Sequence, residues 1–238
     1  MNRIRTFLNT PRSSALAPER VAARRGTGGL IFSIIALGVF SVLFVLVRSN
    51  RTASTDAAIT LRVQKRDHPW FDRLMRIVSW PGFPPQSRIL PPGIAAALWF
   101  RGMRLEAIFQ LAAWGTGGIS SVFKRIMQRK RPHGEDTGIK VAVANIGGSS
   151  FPSGHVIIYT GVYGFLAFLS HTWIKSNAIR RTVVGLLTGM VTLVGTSRVY
   201  LGHHWFTDTI ASYLLGTTYL VGLTALYRRV KRWTLSGN

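Results

Sequence analysis

Residues 197–208 read Ser197-Arg198-Val199-Tyr200-Leu201-Gly202-His203-His204-Trp205-Phe206-Thr207-Asp208, between two long apolar segments. Charged groups at a membrane boundary are costly and persist where something uses them. Two earlier stretches share this character. Residues 124–132 read Lys-Arg-Ile-Met-Gln-Arg-Lys-Arg-Pro, and residues 151–155 read Phe-Pro-Ser-Gly-His. The three stretches are expected to meet in one site, with the rest of the chain as scaffold.

Working outward, the scaffold reads as a membrane protein. Of the 238 residues 47% are apolar. They are gathered into runs, not spread at amphipathic spacing, which indicates transmembrane helices. Runs at 29–47, 105–123, 156–169, 183–196 and 210–227 suit spans. The run at 89–100 is shorter, about 18 Å of helix at about 1.5 Å per residue, against a hydrocarbon core of roughly 30 Å. Arg88, Arg101 and Arg104 could extend it by snorkelling, and Pro91 and Pro92 suit a helix start. Residues 56–65 and 69–80 suit short helices lying in the interface. Gly185 and Gly189 form a GxxxG, which together with Gly115, Gly118, Gly161 and Gly164 suits close helix packing. The expected fold is all-α, a membrane bundle of six transmembrane helices over residues 29–227. Basic cytoplasmic tails are expected at 1–28 and 228–238.

Six single-pass spans bring the three polar stretches to one face and both termini to the other. Lys and Arg divide evenly, fifteen on each face, so the raw count does not orient the chain. The charges on the termini side lie in short segments next to span ends, where the positive-inside rule is strongest. That favours cytoplasmic termini and an outward-facing site, in a bacterial cytoplasmic membrane. Thirty basic residues against eight acidic ones fit span flanks and anionic headgroups. They punctuate apolar runs and form no soluble basic module, which argues against nucleic acid as a partner. Without cysteine, disulfides, thiolate metal sites and cysteine nucleophiles are excluded.

The residue types at the three stretches suit phosphate chemistry. Cleaving a phosphate ester without metal requires fixed positive charge, an in-line nucleophile and an acid for the leaving oxygen. Lys124, Arg131 and Arg198 can supply the charge, arginine as a planar fork and lysine as a point charge. Ser153, Gly154 and His155 open a predicted helix, whose first N–H groups favour an anion. Neutral imidazole can attack phosphorus. His204 and Asp208 stand four apart and share a face if that stretch is helical. The carboxylate could then orient one ring nitrogen and leave the other free, as in triad logic. His203 competes for the role but lies five residues before Asp208. His155 is the expected general acid. Each feature has a plainer reading taken singly: Arg125, Arg129 and Lys130 suit an interfacial anchor, and Pro-Ser-Gly suits a turn into a helix.

Together the three stretches resemble the signature of the type 2 phosphatidic acid phosphatase superfamily. The matching residues are Lys124, six residues, Arg131-Pro132; then Pro152-Ser153-Gly154-His155; then Ser197-Arg198, five residues, His204, three residues, Asp208. The resemblance implies that Lys124, Arg131, Arg198, Ser153 and Gly154 bind the substrate phosphate. It implies His204 as nucleophile through a phosphohistidine, Asp208 as its partner and His155 as acid, with no metal and no cofactor. The scattered acids agree, since a two-metal hydrolase needs more carboxylates. A lipid phosphate or diphosphate is the implied substrate, with an isoprenoid diphosphate as the first specific expectation. Vanadate-dependent haloperoxidases share the constellation but usually on a soluble scaffold. A non-catalytic lipid-phosphate binder or transporter would need only the basic residues. The sequence leaves the oligomeric state open.

Overall fold

The computed structural model describes residues 26–133, 137–143 and 146–235, and among them every regular element is helical. Most of the expected amino-terminal tail lies outside the described residues. The order is α1 (Gly26–Arg48), α2 (Ala53–Gln64), α3 (Pro69–Ser79), a 3₁₀ turn (Trp80–Gly82), α4 (Gln86–Phe100) and α5 (Arg104–Trp114). It continues with α6 (Thr116–Met127), α7 (Gly154–Trp173), α8 (Asn177–Tyr200) and α9 (Phe206–Leu235).

Among the described residues four helices, α1, α7, α8 and α9, are long and apolar enough to cross a membrane. They answer to the expected first, fourth, fifth and sixth spans. The most apolar stretch of α7 is 56% buried, against 17% for α1. Helix α7 is therefore the central element, packed against α5, α6, α8 and α9, while α1 leans on α9 at the periphery. Basic residues 228–232, expected as a tail, instead continue helix α9.

The expected second and third spans take a different form. Helix α4 begins five residues before Pro91, so Pro91 and Pro92 lie inside it and not at its start. A hydrogen-bonded turn, Gly102 N–H to Trp99 O and Met103 N–H to Leu98 O, reverses the chain into α5. The third run is two helices, broken at Gly115. Two neighbours account for the break. The Tyr219 hydroxyl, from α9, donates to the Ala112 carbonyl at 2.7 Å. Gly161 of α7 lies so close that a Cβ there would meet the Ala113 oxygen at 2.4 Å. Gly161 and Gly164 thus do serve close packing, Gly164 against Leu220. Gly185 and Gly189 do not: among the described residues nothing comes within 4 Å of a Cβ built at either, so the GxxxG face of α8 packs on none of the described helices.

The core divides along the bundle. At one end Leu98, Met103, Leu105, Phe165, Leu169, Leu223 and Tyr227 cluster. Beside them the buried Glu106 accepts from Lys231 Nζ at 2.6 Å and Tyr227 Oη at 2.9 Å. At the other end Phe40, Phe44, Phe123 and Phe151 interlock with ring centroids 5.0–6.1 Å apart. That second end carries the polar stretches.

Candidate active site

Helix ends bring the three stretches together. Lys124 lies in the last turn of α6, His155 in the first turn of α7, Arg198 in the last turn of α8 and Asp208 in the first turn of α9. Alternating helix direction accounts for this convergence.

Local rules fix each stretch. Helix α8 ends in a Schellman motif: His203 N–H bonds the Arg198 carbonyl at 3.0 Å and Gly202 N–H bonds the Val199 carbonyl at 3.0 Å. Gly202 takes φ +68°, and a Cβ there would sit 2.4 Å from the Lys140 carbonyl oxygen, so only glycine fits. Gln64 of α2 holds both sides of this junction, donating to the carbonyls of Lys140 (2.7 Å) and Tyr200 (2.8 Å). Three residues into its helix, Asp208 reaches back to the Trp205 N–H at 2.9 Å, half of a capping box. The other two stretches are joined by Ser150 N–H to Arg129 O (2.8 Å) and Arg129 N–H to Ser149 Oγ (3.0 Å).

The basic groups surround His204. Arg131 Nη1 lies 3.1 Å from His204 Nε2 and donates to the His203 carbonyl at 2.7 Å. Lys124 Nζ donates to the Ser149 carbonyl at 2.5 Å. Arg198, 1% exposed, donates to Ser79 Oγ at 2.6 Å and lies over the Phe83 ring at 4.9 Å. The same Phe83 ring meets His155 edge-on at 4.9 Å. Ser153 occupies the N-cap position of α7 without a side-chain capping bond, its hydroxyl buried, and Gly154 leaves room beside Ser120 and Lys124. Arg131 Nε, Arg198 Nε, Ser153 Oγ and His155 Nε2 are buried and bond no other protein group among the described residues. Such convergent unmet polar groups call for a polar guest.

His204 is 2% exposed and fixed from its other side. Its Nδ1 lies 2.7 Å from the Ser150 carbonyl and 3.6 Å from Asp208 Oδ2. A carbonyl only accepts, which assigns the ring proton to Nδ1 and leaves Nε2 as a free base. Burial, with the charges of Arg198, Arg131 and Lys124, holds this histidine well below its ordinary range, against the opposing pull of the Ser150 bond. Burial and the surrounding charge thus favour the neutral ring. Burial, with Arg198 and Arg131 nearby, also pushes His203 down to about 3.

Two expectations change. His204 precedes α9, which starts at Phe206, so His204 and Asp208 approach through a turn and do not share a helix face. Arg129, expected as an interfacial anchor, is turned inward by Gln128, whose φ of +48° ends α6. Its guanidinium bonds Asp208 Oδ1 at 2.6 Å and Asp56 Oδ2 at 2.7 Å. Asp56, Thr207, Ser79, Gly82 and Phe83 were absent from the expected site. Only Asp56 carried a signal, as one of eight acids in the chain on a helix read as interfacial.

A membrane-embedded helical bundle with a buried cationic cluster around paired histidines is the class that fold and site define. The model of the PAP2 superfamily matches residues 105–232, more than half of the chain, and the chain belongs to that superfamily. It is 27% identical over 198 residues to phosphatidylglycerophosphatase B of Bacillus subtilis, covering 82% of this chain and 94% of that protein. The crystal structure of a transmembrane PAP2-type phosphatidylglycerolphosphate phosphatase from Bacillus subtilis superposes with a TM-score of 0.70 at 26% identity. It covers 84% of this chain and 98% of that one. Aquifex aeolicus LpxE shares the fold with a TM-score of 0.54 at 18% identity, over 71% of this chain and 93% of that one. The chain is an integral membrane hydrolase of lipid phosphates.

Proposed function

We propose that this enzyme removes a terminal phosphate from a lipid headgroup through a phosphohistidine on His204. The observation that carries the reading is the pairing of a neutral, buried His204 with a cationic neighbour. Its basic Nε2 lies 3.1 Å from Arg131 Nη1, the group best shaped to hold the phosphate it would attack.

In this reading Lys124, Arg131 and Arg198 grip the phosphate oxygens, with Ser153 Oγ and the N–H groups at Gly154 completing the cradle. His204 Nε2 attacks phosphorus. The bond from phosphorus to the lipid oxygen breaks, its electron pair leaves with that oxygen, and protonated His155 supplies the proton. Arrival of the phosphate dianion favours the charged form of His155. Neutral His155 then takes a proton from water, the resulting hydroxide attacks phosphorus, and the bond to His204 breaks to release phosphate. Asp208 supports the ring on its Nδ1 side.

The names of the relatives make phosphatidylglycerophosphate the first substrate to test, ahead of the isoprenoid diphosphate suggested by the sequence. A chain of six crossings is also part of the proposal. Helix α4 starts beside His155, where Gly82 touches the ring, and ends in the cluster with Leu169 and Tyr227. Its partner α5 returns towards the site end. The pair would cross between the two core clusters, with the termini cytoplasmic and the site outward. Impermeant thiol labelling of single cysteines placed at Lys130 and Arg229, in this cysteine-free chain, should modify only the first in intact cells.

The central experiment measures phosphate release in chelator from phosphatidylglycerophosphate, a polyprenyl diphosphate and phosphatidate. His204→Ala runs alongside. The reading expects chelator-resistant turnover that disappears in the variant, and a phosphoenzyme label that is stable to base and labile to acid. Turnover that survives His204→Ala overturns it.

A further inference from the structure

Helix α2 sends one carboxylate into the site. Asp56 is fully buried. It accepts from the Thr207 N–H at 2.9 Å, the Thr207 hydroxyl at 2.7 Å and Arg129 Nη2 at 2.7 Å. The other terminal nitrogen of Arg129 donates to Asp208 Oδ1 at 2.6 Å and to Thr207 Oγ1 at 2.8 Å. One guanidinium is thus shared between two buried carboxylates. The ionised trio Asp56–Arg129–Asp208 carries one net negative charge, and its remaining oxygen, Asp208 Oδ2, accepts from the Trp205 N–H at 2.9 Å and lies 3.6 Å from His204 Nδ1.

We infer that Asp56 is a positioning residue for phosphate transfer, acting by preventing Arg129 from neutralising Asp208. A lone Arg129–Asp208 pair would be neutral and would present little field to the ring. With Asp56 holding the other half of the fork, Asp208 keeps negative charge facing the Nδ1–H. That charge matters most when the Nε2–phosphorus bond forms and the ring becomes positive. The lipid oxygen leaves with its electron pair and the proton from His155, so the positive charge that develops on the ring is the one the trio balances. Ground-state binding of phosphate involves neither Asp56 nor Thr207 directly. The effect therefore falls on kcat and not on KM. The inference rests on reading His204 as the nucleophile.

The test follows the charge of the trio in purified, detergent-solubilised protein hydrolysing phosphatidylglycerophosphate. Asp56→Asn brings the trio to zero. It should lower kcat by roughly ten- to a hundredfold, the scale of one charge a few ångströms away at the effective dielectric of a protein, with KM within about twofold. The double variant Asp56→Asn/Arg129→Gln restores one net negative charge and should recover kcat by about fivefold or more over Asp56→Asn. Thr207→Val removes hydrogen bonds without changing charge and should stay within about threefold of the parent. A structural role predicts the opposite order, with the double variant the worst and kcat tracking the thermal midpoint. That order overturns the inference. If Asp56→Asn does not fold, the double variant and Thr207→Val still decide it by their rank against the parent. If His204→Ala retains turnover, the nucleophile reading fails and takes this inference with it. If His204→Ala is inactive and the double variant shows no recovery, the inference alone fails.

Discussion

The Nδ1 of His204 lies 2.7 Å from the Ser150 carbonyl and 3.6 Å from Asp208, so a backbone oxygen fixes the tautomer and the carboxylate sits behind as charge. Ser150 is held in turn by its own N–H on the Arg129 carbonyl and its hydroxyl on the Lys130 carbonyl. The Nε2 that faces Arg131 is thereby aimed by the 128–132 loop as much as by α9. Both contacts have consequences that can be measured.

Gly82 is one position where the closeness of the site can be tested. A Cβ added there would sit 2.1 Å from His155 Cδ2, so Gly82→Ala must displace the ring proposed to protonate the leaving oxygen. The expected result is a loss in kcat of about 10²-fold, the scale of general-acid catalysis. Stopped assays on a lipid phosphate would read it. A substrate whose leaving group needs no proton, such as an aryl phosphate, should lose less.

Arg198 offers a second. It is buried, bonded to Ser79 and stacked on Phe83. Lysine keeps the charge but loses the fork and the planar stacking. Arg198→Lys should lower kcat/KM by about 10- to 100-fold, matching a loss of about 1.4 to 3 kcal/mol. Inhibition by vanadate, a phosphate mimic, should weaken in parallel.

Acid should destabilise the fold through the histidine pair. The folded-state value for His203 is depressed to about 3, and His204 is depressed too, while an unfolded histidine titrates near about 6.5. Below that value the unfolded chain binds protons that the folded chain refuses. The stability these neutral rings confer is present above about pH 6.5 and is lost as pH falls towards the folded values. Thermal midpoints measured at fixed scan rate should drop across that window. His203→Gln should flatten the slope.

Gly202 tests the junction that holds α2 to α8. Its φ of +68° and the 2.4 Å approach to the Lys140 oxygen leave no space for a side chain. Gly202→Ala should cost about 1–3 kcal/mol of stability, read as a lower unfolding midpoint, with activity falling as Arg131 loses its bond to the His203 carbonyl.

The sequence by itself determined the long helices and the three polar stretches that meet at one end of the bundle. Continuous apolar runs admit no other structure in lipid, and the three polar stretches sit where alternating helices must end. The spacing of His204 and Asp208 likewise survives in the structure as proximity, through a cap and not a helix face. The tertiary structure decided what depended on neighbours distant in sequence. The break at Gly115 follows from Tyr219 and Gly161, which come from other helices. The inward turn of Arg129 follows from Asp56 and Asp208, 73 and 79 residues away in the chain. A basic cluster beside a span reads as a headgroup anchor unless buried carboxylates draw one member in. Those carboxylates are placed by packing of α2 and α9, which no local pattern encodes.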